Sequence, residues 1–142
     1  MSEVQRTLVL VKPDGVRRGL VGQVVGRIEA KGYRLVAAQL RTADAALLGE
    51  HYGEHAGRAF LGPLVEFMLS GPVLAVVVEG HRVIEGVRVL SGATDPTLAA
   101  PGSIRGDLAC DTGAPVMENI IHASDSPGSA AREIALWFPD LG

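Results

Sequence analysis

A histidine stands between an apolar run and a string of small polar residues in Asn119-Ile120-Ile121-His122-Ala123-Ser124-Asp125-Ser126. Val116, Met117, Ile120 and Ile121 read as a buried strand. Ser126 before Pro127 reads as a helix start, since serine caps free N–H groups and proline suits the first helical position. His122 is therefore expected where the strand gives way to a loop, an address at which a rigid core presents a reactive group. An imidazole there can serve as nucleophile or as acid–base group near neutral pH. Its plain reading is a loop histidine satisfied by hydrogen bonds. Glu133, further along the helix, can reach back and fix the ring's tautomer; its plain reading is a solvated glutamate.

Lys12, Arg88 and Arg105 are three cations at element ends or in a long loop. Each alone is an ordinary surface charge. Together they can clamp a polyphosphate, the arginines through planar forked contacts and the lysine as a point charge. Thr94 and Asn119 can add neutral hydrogen bonds. Phe60 stands at a helix start, where it is either a core plug or a platform for a flat base. The known phosphate loops are missing: no G-x-x-x-x-G-K-[ST] and no G-x-G-x-x-G occurs. No H-E-x-x-H or Cys/His cluster builds a metal site. If a polyphosphate binds, side chains and a metal carried with it must do the work.

The elements that must position these residues follow from hydrophobic period and punctuation. Thr7–Lys12 is a central strand that leaves Lys12 at its last position, and Pro13-Asp14-Gly15 ends it as a turn. Val21, Val24, Val25 and Ile28 mark an amphipathic helix that Gly32 closes. Tyr33 to Thr42 reads as a second, largely covered strand. Two short helices follow, one from Asp44 to about His55 and one over Phe60–Leu69. Val73–Glu79 is a buried strand. Val83, Ile84, Val87 and Leu90 make another amphipathic helix. Gly92 to Pro115 shows no helix or strand period, and a structureless stretch this long inside a compact domain is usually functional or disordered. The strand before His122 and a helix with Ala130, Ile134 and Trp137 inward complete the order. Stripped of extra helices it is βαββαβ, a ferredoxin-like α+β fold: a four-stranded antiparallel sheet with helices on one face, plus extra helices and a long loop.

The 142 residues suit one domain, 1–142, and 47% hydrophobic against 20% charged residues makes it globular. A net charge of −3 gives no basic excess for nucleic acid. No basic leader with a long apolar stretch and no membrane-length run is seen, so the expected location is the cytoplasm, with no membrane partner. Cys110, the single cysteine, cannot form an internal disulfide and is expected to be a buried thiol.

Four segments together resemble one family. Lys12-Pro13-Asp14-Gly15-Val16, Ser70-Gly71-Pro72-Val73, Pro101-Gly102-Ser103-Ile104-Arg105-Gly106-Asp107 and Asn119-Ile120-Ile121-His122-x-Ser124-Asp125-Ser126 are similar to the hallmark segments of nucleoside diphosphate kinases, in the family's order. The resemblance spans Arg6 to Phe138. It implies the ferredoxin-like sheet and a ping-pong transfer of the γ-phosphate from a nucleoside triphosphate to a nucleoside diphosphate. His122 matches the histidine that carries the phosphoryl group. Lys12, Arg88, Thr94 and Arg105 match phosphate-holding residues, and Asn119 with Lys12 matches the ribose end. Phe60 matches the base-stacking aromatic. Tyr52 and Glu133 match neighbours of the histidine, with Glu133 orienting it. The resemblance further implies Mg²⁺ carried between the phosphates and a homo-oligomer, a tetramer or hexamer.

Two positions depart from the pattern. Ala123 replaces the usual glycine after the histidine, which costs about 1 kcal/mol or more only if its φ is positive. The span from Arg105 to Asn119 is longer by about four residues around Thr112–Pro115, by motif alignment, and is expected to bulge before the last strand. The other readings weighed are a weakly active nucleotide-binding regulatory relative of the same fold and a plain ferredoxin-like sensor domain. The sensor leaves the polar set without a purpose.

Overall fold

A computed structural model of the chain describes residues 2–53, 57 and 61–141. Its elements run β1 (Val4–Val11), α1 (Pro13–Arg17), α2 (Val21–Lys31), β2 (Arg34–Arg41), α3 (Ala45–His51), α4 (Leu61–Leu69), β3 (Val73–His81), α5 (Val83–Ser91), α6 (Ile104–Leu108), β4 (Ile121–Ala123) and α7 (Pro127–Trp137). The four strands form one sheet in the order β2-β3-β1-β4, and every neighbour is antiparallel. This is the expected ferredoxin-like arrangement. Among the described residues, no helix is long and apolar enough to cross a membrane.

The two central strands read as unbroken apolar runs because both sheet faces are covered. Val9 and Val11 of β1 point to one face, where Val24 and Ile28 of α2, Val83, Ile84 and Val87 of α5 and Ile104 of α6 close over them. Leu8 and Leu10 point to the other, against Leu48 of α3, Phe67 and Met68 of α4 and Trp137 of α7. Helices on a single face were expected; the additional helices cover the second. They have to, because Leu8 and Leu10 would otherwise leave an apolar face in water.

Several local expectations change. Pro13-Asp14-Gly15 is one turn of helix rather than a plain turn. The second strand is less covered than its composition suggested: it is an edge strand, and Leu40 is 61% exposed. The stretch from Gly92 to Pro115 contains α6, capped by the Ser103 hydroxyl, which accepts from Gly106 N at 3.0 Å. Five residues are too few to show a 3.6-residue period. Cys110 is exposed, not buried, because it lies in the irregular chain beyond α6. Val116 and Met117 lie outside the last strand, which is only Ile121–Ala123 and holds His122 at its centre. The Gly32 and Ser126 caps are found where expected: Gly32 has φ 111°, and Ser126 Oγ accepts from Ser129 N at 3.1 Å.

Tyr33 sets a tight packing constraint at the other end of the sheet. Its ring lies over Gly80 of β3 and its hydroxyl against Gly86 of α5, so a Cβ at Gly86 would overlap the hydroxyl. Gly86→Ala should therefore destabilise the protein by about 1–3 kcal/mol, the usual range for overpacking. Adding Tyr33→Leu should recover part of the loss. Chemical denaturation of the two variants checks both outcomes.

Candidate active site

The site is built around a strained three-residue turn. Ile121 N donates to Asn119 O at 2.8 Å, and Ile120 between them has φ 73°. A hydrogen bond over two residues with positive φ at its centre is the rare, strained kind of γ-turn, and β-branched residues avoid that region. Three partners hold it. Lys12 N donates to Ile120 O at 2.7 Å. Asp14 Oδ2 accepts from Ile120 N at 3.0 Å. Arg105 donates to Asn119 O at 3.3 Å, Ile121 O at 2.5 Å and Gly92 O at 2.9 Å.

The turn delivers two side chains. Asn119 is buried; its Oδ1 accepts from Lys12 Nζ at 2.9 Å and its Nδ2 donates to Thr94 O at 2.8 Å. His122 lies opposite Leu10 across β1 and β4, so its ring faces the side covered by α3 and α7. There it meets Glu133, whose Oε1 is 2.7 Å from His122 Nε2. Ser124 Oγ donates to the same oxygen at 2.8 Å and accepts from Leu8 N at 3.2 Å. Burial works against ionising Glu133, but the hydrogen bonds from His122 and Ser124 hold its carboxyl below the usual range. It is therefore a carboxylate that only accepts, so Nε2 carries the proton and Nδ1 keeps the free lone pair.

Lys12, Tyr52, Arg88, Thr94, Arg105, Asn119, His122 and Glu133, all expected from the sequence, line one cleft of about 270 Å³. Phe60 lies outside the described residues. Burial, reinforced by Arg105, lowers the Lys12 ammonium to about 8. Burial and Arg88 lower Arg105 to about 10, still charged at neutral pH. Arg88 is exposed and donates to Ala123 O at 2.9 Å. The three cations thus crowd one another, which favours a multiply charged anion between them. Burial pushes the Tyr52 phenol up, so it remains a neutral donor. Both departures from the family pattern are absorbed. Ala123 is not among the residues with positive φ. The extra stretch closes on itself through Asp111 Oδ1 and Gly113 N, and Arg105 remains in the cleft.

Three participants were not singled out in the sequence. Asp14 read as turn chemistry, though its carboxylate is buried against the γ-turn. Ser124 read as a small polar residue. His51 read only as part of a helix face; a histidine in register with Leu47 and Leu48 was the available signal. Burial, the largest cause, lowers His51 to about 3, so it is neutral.

An imidazole oriented by a carboxylate, facing three cations on a ferredoxin-like sheet, defines a phosphoryl-transfer protein. The comparisons narrow the class. The family model for nucleoside diphosphate kinase matches residues 5–141. A nucleoside diphosphate kinase of Streptomyces griseus subsp. griseus is 63% identical over 96% of this chain and 98% of its own. One from Saccharopolyspora erythraea is 60% identical over 99% and 100%. Among solved structures, the Borrelia burgdorferi enzyme as a transition-state mimic with vanadate and ADP has a TM-score of 0.91 at 43% identity, covering 96% of this chain and 88% of that one. The Halobacterium salinarum enzyme in complex with CDP has 0.90 at 48%, covering 99% and 90%. The chain belongs to the nucleoside diphosphate kinase family.

The lowered Lys12 generates a pH prediction with a definite sign. The ammonium is charged below about 8 and neutral above it. ADP affinity should fall as pH rises through that value, by roughly tenfold per unit at most, since only the charged form attracts phosphate. Lys12→Arg should remove this basic limb. Isothermal titration of ADP between pH 7 and 9.5 reads both.

Proposed function

We propose that this chain transfers the γ-phosphate of a nucleoside triphosphate to a nucleoside diphosphate by a ping-pong route through His122. The observation that carries the reading is the 2.7 Å contact between His122 Nε2 and the Glu133 carboxylate inside a cleft lined by Lys12, Arg88 and Arg105. Nδ1 attacks the γ-phosphorus; the bond to the bridging oxygen breaks, and its electron pair leaves on the diphosphate. The Nε2 proton stays in place, and Glu133 stabilises the positive charge that the ring gains. The diphosphate departs and an acceptor enters. Its terminal oxygen attacks the phosphohistidine, the N–P bond breaks, and the pair returns to Nδ1. Imidazole suits both halves because it is a competent nucleophile and a ready leaving group near neutral pH.

The cations act on charge that spreads over the equatorial oxygens during transfer. Lys12, Arg88 and Arg105 supply it, Thr94 adds a neutral contact, and Asn119 with Lys12 faces the ribose end. Stacking on Phe60 would read a π-face common to all bases, which gives low base selectivity. Mg²⁺ fits this donor set. Of the described carboxylates lining the cleft, Glu133 is committed to His122 and Ser124, and Asp125 is exposed. One carboxylate plus phosphate oxygens is how Mg²⁺ is commonly held. When bound it takes up charge on those oxygens. The reading includes a cytoplasmic setting and one domain, with assembly as a tetramer or hexamer; the exposed edge strand β2 and Leu40 support self-association.

Incubation with γ-labelled ATP should give acid-labile, base-stable label on the wild type and none on His122→Ala. An unlabelled wild type that still binds ATP would turn the chain into a nucleotide-binding relative. Arg105→Ala should lower turnover by roughly 10²–10³-fold, as removal of a preorganised charge donor does. Steady-state kinetics checks this; unchanged turnover would place Arg105 outside the transfer.

A further inference from the structure

The cleft holds a second imidazole that the transfer above does not use. His51 ends α3, 3% exposed, with its ring edge-on to His122 at 4.7 Å between centroids and 71° between planes. Trp137 Nε1 donates to His51 Nδ1 at 3.1 Å. An indole nitrogen can only donate. Nδ1 must therefore offer the lone pair, and the neutral ring carries its proton on Nε2. Trp137 itself is 1% exposed, so water cannot replace that contact.

His51, His122 and Glu133 each bring a ligand atom within 4.8 Å of the others. Two imidazoles and a carboxylate on one side of an open cleft are a donor set that divalent transition metals favour. Each ligand must offer a lone pair. His122 and Glu133 share one exchangeable proton, which a metal can displace. His51 differs. If its Nδ1 were the ligand, the metal would have to break the indole bond. If its Nε2 were the ligand, the ring would first have to move its proton to the nitrogen that Trp137 occupies. Both routes are blocked by the same N–H.

We propose that Trp137 holds His51 in the Nε2-protonated tautomer and thereby keeps a latent two-histidine, one-carboxylate site closed to divalent transition metals. Resting on His122 as nucleophile, this protects the group that must stay free for phosphate. A borderline-soft ion seated on the trio would replace the proton between His122 Nε2 and Glu133, and so take away the carboxylate contact that orients the ring.

The probe is Co²⁺ alone, titrated without nucleotide into wild type, Trp137→Phe, and Trp137→Phe with His51→Gln. Trp137→Phe should bind Co²⁺ at least about tenfold more tightly than wild type, the scale on which a ligand's outer hydrogen bond tunes a metal site. It should show a visible d–d band, and the double variant should lose both. Equal Co²⁺ affinity and spectra for wild type and Trp137→Phe would overturn the proposal. Wild-type protein gives a second reading that needs no substitution. Nitrogen-15 correlation spectra of the His51 ring should show a proton on Nε2 and none on Nδ1 at neutral pH; a proton on Nδ1 would overturn it. A protein that labels at His122 but carries that Nδ1 proton keeps the function and loses this inference. The reverse pattern, no label at His122 with the proton on His51 Nε2, overturns the function and with it the protective purpose, while the closed metal site stands.

Discussion

Ile120 is held at φ 73°, and the site depends on that one unfavourable residue. A β-branched side chain in the left-handed region costs on the order of 1–3 kcal/mol, and it persists only where the surroundings over-determine it. Here Lys12 N and the Asp14 carboxylate, from the start of α1, and the Arg105 guanidinium, from α6, do so. The geometric return is specific. In an unbroken strand, residues three apart point to opposite faces. The turn cancels that alternation, so Asn119 and His122 line the same cleft.

The same groups explain the electrostatics. Arg105 has five N–H groups; two serve the turn carbonyls of Asn119 and Ile121 and a third serves Gly92 O, which leaves the rest for a ligand. Its charge therefore supports the backbone and faces the cleft at once. Lys12 likewise spends one N–H on Asn119. Burial and mutual repulsion depress both cations, a cost that a bound polyphosphate would offset. The chain as a whole is acidic at −3, so the positive field is local to the cleft. The described carboxylates nearby are mostly committed: Glu133 to His122 and Ser124, Asp14 through Oδ2 to Ile120, with Oδ1 buried and without a hydrogen-bond partner.

Covering both faces of the sheet has a functional consequence. One set of helices, α2, α5 and α6, brings Arg88 and Arg105 to the cleft. The other, α3 and α7, brings His51, Tyr52 and Glu133. β1 and β4 lie between them; Lys12 directly follows β1 as the N-cap of α1, and His122 is the central residue of β4. His122 thus sits where the two layers meet at the sheet's β4 edge, with cations from one layer and the Glu133 carboxylate from the other.

Much of this was legible in the chain itself. Apolar period placed the central strands and amphipathic helices, serine and glycine punctuation placed their caps, and four short segments carried the family likeness. Those are local properties, set by neighbours a few residues apart. The γ-turn was not legible, because Ile120 is an ordinary strand residue by composition and only partners from residues 12, 14 and 105 hold it open. Nor were the second covered face, the exposure of Cys110, or the pairing of Trp137 with His51 across 86 residues. Residue types and short-range spacing therefore determined which elements form and which groups are available for chemistry. Which nitrogen keeps its lone pair, and which side chains share a cleft, was decided only by folding, since both depend on contacts between segments far apart in the chain.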